Sequence, residues 1–534
     1  MPPRRAPPSR KRAASPIQKP GPAKRRDTKD TEDTKAPKAV KAIKATKDTK
    51  DTKAAKPSKP SAPAKTTKKA APQPAKSTTQ KETATTTTKE TATTTKETAP
   101  TIKETATTAA KPRSIAQPRS TVTNEPPTTK LQVFVFGEGS AGELGLGPRK
   151  GTEVSRPRPN PNLAGVVSLA TGGMHALALT ADNKVLTWGI NDHATLGRDS
   201  TWEGESTPTA VPANHFPDGT EFAQVAAGDS LSLVLTKDGF VYGWGTFRDQ
   251  NGVFGFRLGS AKEGVIRVQE EPIRIPGLKN ITQISVGNDF ALALDASGKV
   301  YAWGNGQQAE LGRRLIERRR REGLVPTRIG FPKKTTIVSV HAAANHAFAI
   351  DSNGDTWAWG SNNFGQTGII SGAGQDAAVV CPPQKVESLV GSKVKTANGG
   401  LHHSIALTES GECLVWGRVD GYQTGLDIST LPVDDESKVI ADPRGRPRIL
   451  LHPTPLPIPP AAYIAAGSDH NLVVTAEGKA YSWGFNATYQ CGQGNDDEVK
   501  TATLINGKQV RDEKLVWAGA GGQYGMLASH LQEQ

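Results

Sequence analysis

The segment SVGNDFALALDASGKVYAWG, residues 285–304, contains in order every part of a unit that recurs along the chain. Small and polar residues lead into an alternating run of small and large residues, a Ser297-Gly298 pair follows, and Trp303-Gly304 ends the unit. The Trp-Gly pair recurs at Trp188-Gly189, Trp244-Gly245, Trp359-Gly360, Trp416-Gly417 and Trp483-Gly484, with Phe136-Gly137 as an earlier degenerate copy. Successive glycines of these pairs are 52, 56, 59, 56, 57 and 67 residues apart, which predicts a repeat architecture.

Each unit has the pattern of two short strands joined by a tight turn. Residues that favour turns separate the two apolar runs, at Asp182-Asn183, Asp238-Gly239, Ser297-Gly298, Asn353-Gly354, Ser410-Gly411 and Glu477-Gly478. Asp-Gly and Asn-Gly pairs supply the positive φ that a tight turn between antiparallel strands requires. The unit is therefore predicted to be a β-hairpin.

The two ends of the repeat region are complementary. The copy at 133–137 has the second half of a unit without a first half, and the copy at 519–529 has a first half without a Trp-Gly pair after it. Together they make one complete unit, so the N-terminal strand can finish the last blade of a closed ring. We predict an all-β, seven-bladed β-propeller over 131–534. The alternative, an open solenoid of hairpins, needs caps at both ends.

Composition divides the chain at about residue 130. Residues 1–130 contain no Phe, Trp or Tyr and hold 31 Lys+Arg against 11 Asp+Glu, a net charge of +20. The whole chain has a net charge of +15, which leaves −5 for 131–534. A segment without aromatic residues cannot bury enough apolar surface to fold, so 1–130 is predicted to be a disordered, low-complexity tail.

The tail has features of a nuclear, phosphate-binding segment. Two basic clusters with a short spacer match a bipartite import signal, which implies an import receptor as a partner; the alternative is compositional bias. The clusters consist of Arg10, Lys11, Arg12, Lys24, Arg25 and Arg26. We expect the tail to bind the DNA phosphate backbone in a salt-dependent way without reading sequence, because it has no aromatic side chain for base stacking.

Several classes of protein are disfavoured. The three cysteines, Cys381, Cys413 and Cys491, are too far apart in sequence for a zinc motif, and no apolar run is long enough to span a membrane. The sequence GEGSAG at 137–142 matches a dinucleotide-binding pattern, but it opens no predicted helix. We therefore expect no cofactor, no metal, no membrane contact and no covalent catalysis.

The repeat resembles that of the regulator of chromosome condensation family. The resemblance covers 131–534 and includes a Gly-Gln-Leu-Gly element after the Trp-Gly pair, present as Gly142-Glu143-Leu144-Gly145, Ala309-Glu310-Leu311-Gly312 and Gly365-Gln366-Thr367-Gly368. The fold implied is the same seven-bladed propeller. Members of the family differ in function, so the fold alone does not determine the activity.

One segment points to a particular function within the family. WGTFRDQNGVFGF at 244–256 resembles a two-stranded wedge that, in this family, belongs to guanine nucleotide exchange on the nuclear GTPase Ran. The resemblance implies a wedge made of Phe247, Arg248, Asp249, Gln250, Asn251, Gly252, Val253, Phe254 and Gly255. It also implies a GTPase-binding set made of His175, Asp229, Asp289, Arg313 and one of His402 or His403. Two positions depart from the pattern: Ser140 replaces an expected Asp, and Tyr524 replaces an expected His.

These residues also have structural interpretations. Asp229 and Asp289 follow glycine-rich turns and can serve only as backbone caps. His175 and His403 share a recurring repeat position with His346 and His470, so some of these histidines are expected to serve packing.

An arginine-rich loop follows the fourth Trp-Gly-type pair, counting Phe136-Gly137 as the first. The family resemblance implies that this loop docks on the acidic face of the histone core of a nucleosome through Arg314, Arg318, Arg319, Arg320 and Arg321. Arginine suits this role because its guanidinium pairs with carboxylates in bidentate geometry. The alternative is a solvated charged segment. For the whole chain, the alternative to exchange on Ran is a non-catalytic propeller that scaffolds chromatin or a ubiquitin-type complex.

Overall fold

The computed structural model describes residues 122–148 and 152–532, and the regular secondary structure there is almost entirely β-strand. The predictions for the import signal and the DNA contacts lie outside the described residues, as do residues 1–121 of the basic tail. Residues 122–130 are described, and Asn124 donates from Nδ2 to the Thr236 and Ile281 oxygens at 3.1 and 2.9 Å. This last part of the segment predicted to be disordered therefore contacts the sheets. The first two strands pair with each other in antiparallel fashion; they are β1 (Leu131–Glu138) and β2 (Glu153–Pro159).

Two four-stranded antiparallel sheets, or blades, follow, and they differ in the connection that precedes the outermost strand. Blade 1 consists of β3 (Val166–Thr171), β4 (His175–Thr180), β5 (Val185–Gly189) and β6 (Thr209–Ala210). Blade 2 consists of β7 (Phe222–Ala227), β8 (Leu231–Thr236), β9 (Val241–Gly245) and β14 (Gln269–Arg274). Between β9 and β14 the chain forms two small hairpins, β10 (Phe247–Asp249) with β11 (Gly252–Gly255) and β12 (Arg257–Leu258) with β13 (Val265–Ile266).

The remaining blades repeat the four-stranded antiparallel plan. Blade 3 is β15 (Ile281–Val286), β16 (Phe290–Asp295), β17 (Val300–Gly304) and β18 (Thr327–Arg328). Blade 4 is β19 (Ile337–Ala342), β20 (His346–Asp351), β21 (Thr356–Ser361) and β22 (Val379–Lys385). Blade 5 is β23 (Val394–Gly399), β24 (His403–Thr408), β25 (Cys413–Arg418), β27 (Pro447–Pro455) and, as a fifth strand, β26 (Val439–Ala441). Blade 6 is β28 (Ala461–Ala466), β29 (His470–Thr475), β30 (Ala480–Gly484) and β31 (Val499–Leu504).

The ring closes by combining both ends of the repeat region in blade 7. Its strand order is β2-β1-β33-β32, with β32 (Leu515–Ala520) and β33 (Tyr524–His530) from the C-terminal side. Phe134 of β1 lies opposite Leu527 of β33 in an antiparallel ladder. The predicted seven-bladed propeller and its closure by the N-terminal strand are confirmed, and the open solenoid is excluded.

The fifth strand of blade 5 belongs to an insertion at 427–448, which lengthens the last interval between Trp-Gly pairs. Its β26 pairs with β27, so the insertion extends the outer edge of the blade. Helices are short and lie in connections: α1 (Trp202–Glu205) and 3₁₀ turns at Pro161–Leu163, Ala213–His215, Glu317–Leu324, Glu387–Leu389 and Ile428–Thr430. Among the residues with described positions, no helix has the length and apolar character to cross a membrane.

The tight turns and the glycine-rich loops lie at opposite ends of the blades. We call the end with the turns between second and third strands, such as 237–239, the turn face. We call the other end, with loops such as 228–230 and 287–289, the loop face. Positive φ values at Asn183 (61°) and Gly298 (76°) confirm two of the predicted tight turns. The first strands of the blades surround a central cavity of about 470 Å³.

Tryptophans of the Trp-Gly pairs form the contacts between blades. All six are at most 1% exposed, and five donate their indole N–H to a carbonyl of the preceding blade's Gly-Gln-Leu-Gly-type loop. Trp359, for example, donates to the Glu310 oxygen at 2.7 Å. A buried indole that also satisfies its polar edge contributes both apolar burial and orientation. The repeat spacing thus places one such contact between most neighbouring blades.

Candidate functional site

A hairpin of β10 and β11 stands on the loop face beside blade 2. Arg248 lies opposite Val253 and Asp249 lies opposite Gly252 in the ladder. Gln250 and Asn251 form an exposed tip, and Gly252 has a φ of 101°, which only glycine adopts without strain. We call residues 247–255 the wedge; its two-stranded form agrees with the sequence expectation.

Aromatic side chains fix the base of the wedge in the core. Phe247 is fully buried, Phe254 is 8% exposed, and Phe256 is 2% exposed. Phe247 and Phe256 stack with ring centroids 6.3 Å apart. Gly304 allows this packing, because a Cβ there would lie 2.8 Å from the Phe247 ring. The wedge therefore has an anchored base and an exposed tip.

Asp289 connects blade 3 to the wedge. Its Oδ1 accepts a hydrogen bond from the Arg248 backbone N–H at 2.6 Å. Burial, together with the smaller effect of the nearby Asp229 carboxylate, raises the pKa of Asp289 to about 7. Burial also raises the pKa of Asp229 and brings that of Glu310 to about 8. The predicted pair Asp229 and Asp289 thus lies together at the base of the wedge as an electrostatically coupled group.

A second contact comes from the arginine-rich loop. The Arg320 Nη1 lies 2.8 Å from Asp249 Oδ2, and its guanidinium lies 5.4 Å from the centroid of the Phe254 ring. Arg314, Arg318, Arg319 and Arg321 have exposed side chains. The structure therefore separates Arg320 from the other predicted nucleosome-binding arginines, because its side chain is turned toward the wedge.

Arg313 supports the fold of its own blade. Its Nη1 donates to the Ala302 oxygen at 3.1 Å, and burial lowers the pKa of its guanidinium. Arg198, the matching residue of blade 1, donates in the same way to the Thr187 oxygen at 2.9 Å. Arg313 therefore has a structural role within its own blade, and Arg198 has the same role in a blade without a wedge. Contact of Arg313 with the GTPase stays a prediction.

The predicted GTPase-binding histidines His175 and His403 require a correction. Each is 1% exposed and lies inside the seam between two blades, so its side chain does not reach the surface. His175 Nε2 lies 2.9 Å from Ser232 Oγ, and this hydroxyl donates to the Thr195 oxygen that also accepts from the Trp244 indole. Burial lowers the pKa of His175 to about 4, so the ring is neutral at pH 7.

The same seam arrangement occurs at two further blade contacts. His346 contacts Ser404 and His403 contacts Asn471, and in each case the partner side chain donates to a loop carbonyl. The recurrence of histidine at this repeat position is thus a packing device. The sequence contains a sign of these contacts. Ser232, Ser404 and Asn471 occupy one repeat position, which directly follows the position where histidine recurs.

His402 differs from His403 because it precedes the strand and remains half-buried on the loop face. Its ring centroid lies 4.5 Å from that of Phe364, whose ring is also near the guanidiniums of Arg418 and Arg448 at 5.3 and 5.0 Å. Sequence reasoning missed this cationic and aromatic cluster. Phe364, Arg418 and Arg448 come from two different blades, one of them with the insertion, and no local motif joins them.

The two residues that depart from the family pattern lie in different surroundings. Ser140 is exposed, and its backbone N–H donates to Glu138 Oε1 at 2.8 Å. Tyr524 is buried, and its hydroxyl donates to the His175 oxygen at 2.7 Å. No group of three His, Cys, Asp or Glu side chains in 122–148 and 152–532 has metal-site geometry.

The repeat region also matches a known family model. The RCC1-like domain model matches residues 132–527. The chain belongs to the RCC1-like domain family. Its curated relatives include Protein pim1 of Schizosaccharomyces pombe, 40% identical over 76% of this chain and 75% of the relative. They also include the guanine nucleotide exchange factor SRM1 of Saccharomyces cerevisiae, 36% identical over 74% of this chain and 86% of the relative.

Solved structures of RCC1-like propellers agree with the fold. The crystal structure of Prp20p from Saccharomyces cerevisiae, described with its binding to Gsp1p and histones, matches with a TM-score of 0.71 and 36% identity over 77% of this chain and 94% of that chain. The yeast RCC1 (Prp20) in its crystal structure with Kap60 matches with a TM-score of 0.71 and 34% identity over 80% of this chain and 97% of that chain.

Proposed function

We propose that this protein is a guanine nucleotide exchange factor that promotes GDP release from the small GTPase Ran on chromatin. The observation that supports this most directly is the wedge, an exposed two-stranded tip on an anchored base, with two coupled carboxyl groups beside it. The relatives add support, since one is named a guanine nucleotide exchange factor and a similar propeller is described with Gsp1p and histones.

The proposed mechanism needs no covalent step. An exchange factor must bind the empty GTPase more tightly than the nucleotide-bound form, and by linkage it weakens nucleotide binding by the same factor. The tip at Gln250 and Asn251 displaces the phosphate-binding loop of the GTPase sterically. The buried phenylalanines at the base hold the wedge in place against the GTPase. Discrimination between the two forms of the GTPase thus arises from shape.

Asp229 and Asp289 supply the electrostatic part. With a pKa of about 7, Asp289 is partly protonated at neutral pH. A lysine or arginine of the GTPase that approaches the pair favours the ionised form and is bound by it. His402 and the cluster around Phe364 extend this surface across blades 4 and 5. His175 and His403 contribute by holding the seams rather than by contact.

The remaining predictions complete the proposal. Residues 131–534 form the propeller domain and residues 1–130 the basic tail, which binds the DNA phosphate backbone and an import receptor of the kind that Kap60 represents for yeast Prp20. The exposed Arg314, Arg318, Arg319 and Arg321 bind the acidic face of the nucleosome. The protein is then a nuclear, chromatin-associated exchange factor.

The test is release of a fluorescent GDP analogue from Ran at catalytic amounts of the full-length chain. We expect strong acceleration by the wild type, and a loss of at least tenfold when Arg248, Gln250 and Asn251 are all changed to alanine. These side chains are exposed, so the base of the wedge stays intact. Lys262→Ala, in the neighbouring hairpin, is the matched control. No acceleration by the wild type rejects the exchange function and favours a non-catalytic scaffold.

A further inference from the structure

Leu324 of the arginine-rich loop packs with the buried base of the wedge, and among the arginines of this loop Arg320 has its side chain on the wedge. Glu317–Leu324 consists of 3₁₀ structure with a kink at Arg319 (φ −122°, ψ 15°), and Arg320 lies toward β10 while Arg318, Arg319 and Arg321 remain exposed. Glu317 supports this direction, since its Oε1 lies 3.4 Å from Arg320 Nε. Four consecutive arginines therefore divide into one inward and three outward side chains.

The partner of Arg320 is more buried than Arg320 itself. The Asp249 side chain is 3% exposed, against 32% for Arg320. Asp249 Oδ2 receives the guanidinium, and Oδ1 accepts from the Asn251 backbone N–H at 2.7 Å, at the tip of the wedge. A buried carboxylate that loses its cation becomes strongly unfavourable. The conformation of the tip thus depends on the charge that Arg320 supplies.

Few other polar contacts restrain this side of the wedge. The hairpin has only two strands, and such hairpins are marginally stable by themselves. A cleft of about 370 Å³, lined by Val253, Arg267 and Arg321 among others, separates the wedge from the arginine-rich loop. Arg320 crosses it to Asp249, and Arg267 Nη2 reaches the Val253 oxygen at 3.2 Å.

We propose that Arg320 is a positioning residue for nucleotide exchange: it holds the wedge in the orientation that enters the GTPase, and it is not part of the nucleosome-binding set. This inference rests on the proposed exchange function. The acting group is the wedge tip, and Arg320 acts on it through Asp249. Docking uses surfaces elsewhere on the loop face as well, so loss of Arg320 is expected to lower kcat more than it changes KM.

The experiment compares full-length wild type, Arg320→Gln and Asp249→Asn in GDP release over a range of Ran concentrations. We expect each variant to lose about tenfold in kcat with KM changed by less than threefold. The double variant should lose no more than either single one, because both changes remove the same ion pair. Arg320→Lys, which keeps the charge, should recover part of kcat. Arg328→Gln, an exposed arginine in the same blade, is the control.

Hydrogen exchange of the wedge amides gives a readout that does not depend on activity. Arg320→Gln should speed exchange in 247–255 and leave the hairpin at 257–266 unchanged. A kcat within twofold of wild type for Arg320→Gln, or additive losses in the double variant, overturns the inference while the exchange function stands. If the wild type does not accelerate GDP release, the exchange function is rejected. In that case, unchanged hydrogen-exchange rates of the wedge amides in Arg320→Gln reject the positioning role separately.

Discussion

The hydroxyl of Tyr524 donates a hydrogen bond to the backbone oxygen of His175, 2.7 Å away, across the seam where blade 7 meets blade 1. The two residues are 349 positions apart and occupy the same position of their repeats. In three other seams a histidine ring contacts a serine or asparagine of the next blade, but Ala176 takes that place in blade 1. The longer tyrosine side chain reaches the backbone instead, so its replacement of histidine serves ring closure.

Tyr524→Phe removes this hydrogen bond and keeps the ring. The buried carbonyl of His175 then loses a donor, and we expect the free energy of unfolding to fall by about 1–2 kcal/mol. Urea denaturation followed by tryptophan fluorescence measures the change. Tyr489→Phe, at a half-buried loop tyrosine, is the control and should stay within about 0.5 kcal/mol of wild type. Equal losses in the two variants would contradict the role of the seam bond.

Ser404→Ala tests the histidine seams. The Ser404 hydroxyl lies 2.7 Å from His346 Nε2 and donates to the Gln366 oxygen at 2.7 Å, so its removal leaves two buried polar groups with fewer partners. We expect a loss of about 1–3 kcal/mol in the free energy of unfolding. The exposed Ser352→Ala is the matched control. A seam without energetic importance would make both variants equal to wild type in the same urea titration.

Asp289→Asn should separate stability from activity. Its pKa of about 7 in the fold exceeds the ordinary value of 3.8, so the stability contributed by Asp289 is full below pH 3.8 and is lost as the pH rises toward 7. Asparagine keeps the acceptor for the Arg248 N–H without this cost. We expect the variant to gain up to about 4 kcal/mol over wild type at pH 8 and little near pH 4, while exchange on Ran falls.

Urea titrations at pH 4, 6 and 8 measure this difference, with the exposed Asp218→Asn as control. Parallel pH profiles of wild type and Asp289→Asn would show that Asp289 does not titrate in this range.

The exposed arginines are expected to bind the histone surface independently of exchange. Changing Arg318, Arg319 and Arg321 to alanine should weaken nucleosome binding about tenfold, roughly 1.4 kcal/mol, and leave the Arg320–Asp249 contact in place. The control changes Arg328, Lys333 and Lys334, which removes the same charge from neighbouring exposed positions. Nucleosome gel-shift titration at constant salt compares the two. Equal weakening in both would indicate a general charge effect.

Prediction from sequence succeeded where the information is local and repeated. Turn pairs and Trp-Gly pairs recur at fixed spacing, so the blade count and the closure by β1 followed from the pattern. The wedge was expected from the family resemblance of residues 244–256 rather than from the repeat, and its two strands pair in the structure. Assignment of individual side chains was less successful, because His402 and His403 are neighbours in sequence but only His403 lies within a seam.

The amino-acid pattern alone determined the hairpin unit, its sevenfold repetition and the separation of a basic tail from an aromatic-rich domain, because hydrogen-bonding period, turn propensity and composition act over short stretches of chain. Only the tertiary structure decided which histidines are internal and which arginine holds the wedge. Both depend on pairs such as His175 with Ser232 and Arg320 with Asp249, which are 57 and 71 residues apart. Such contacts exist only once the blades have stacked and the burial of each side chain is set.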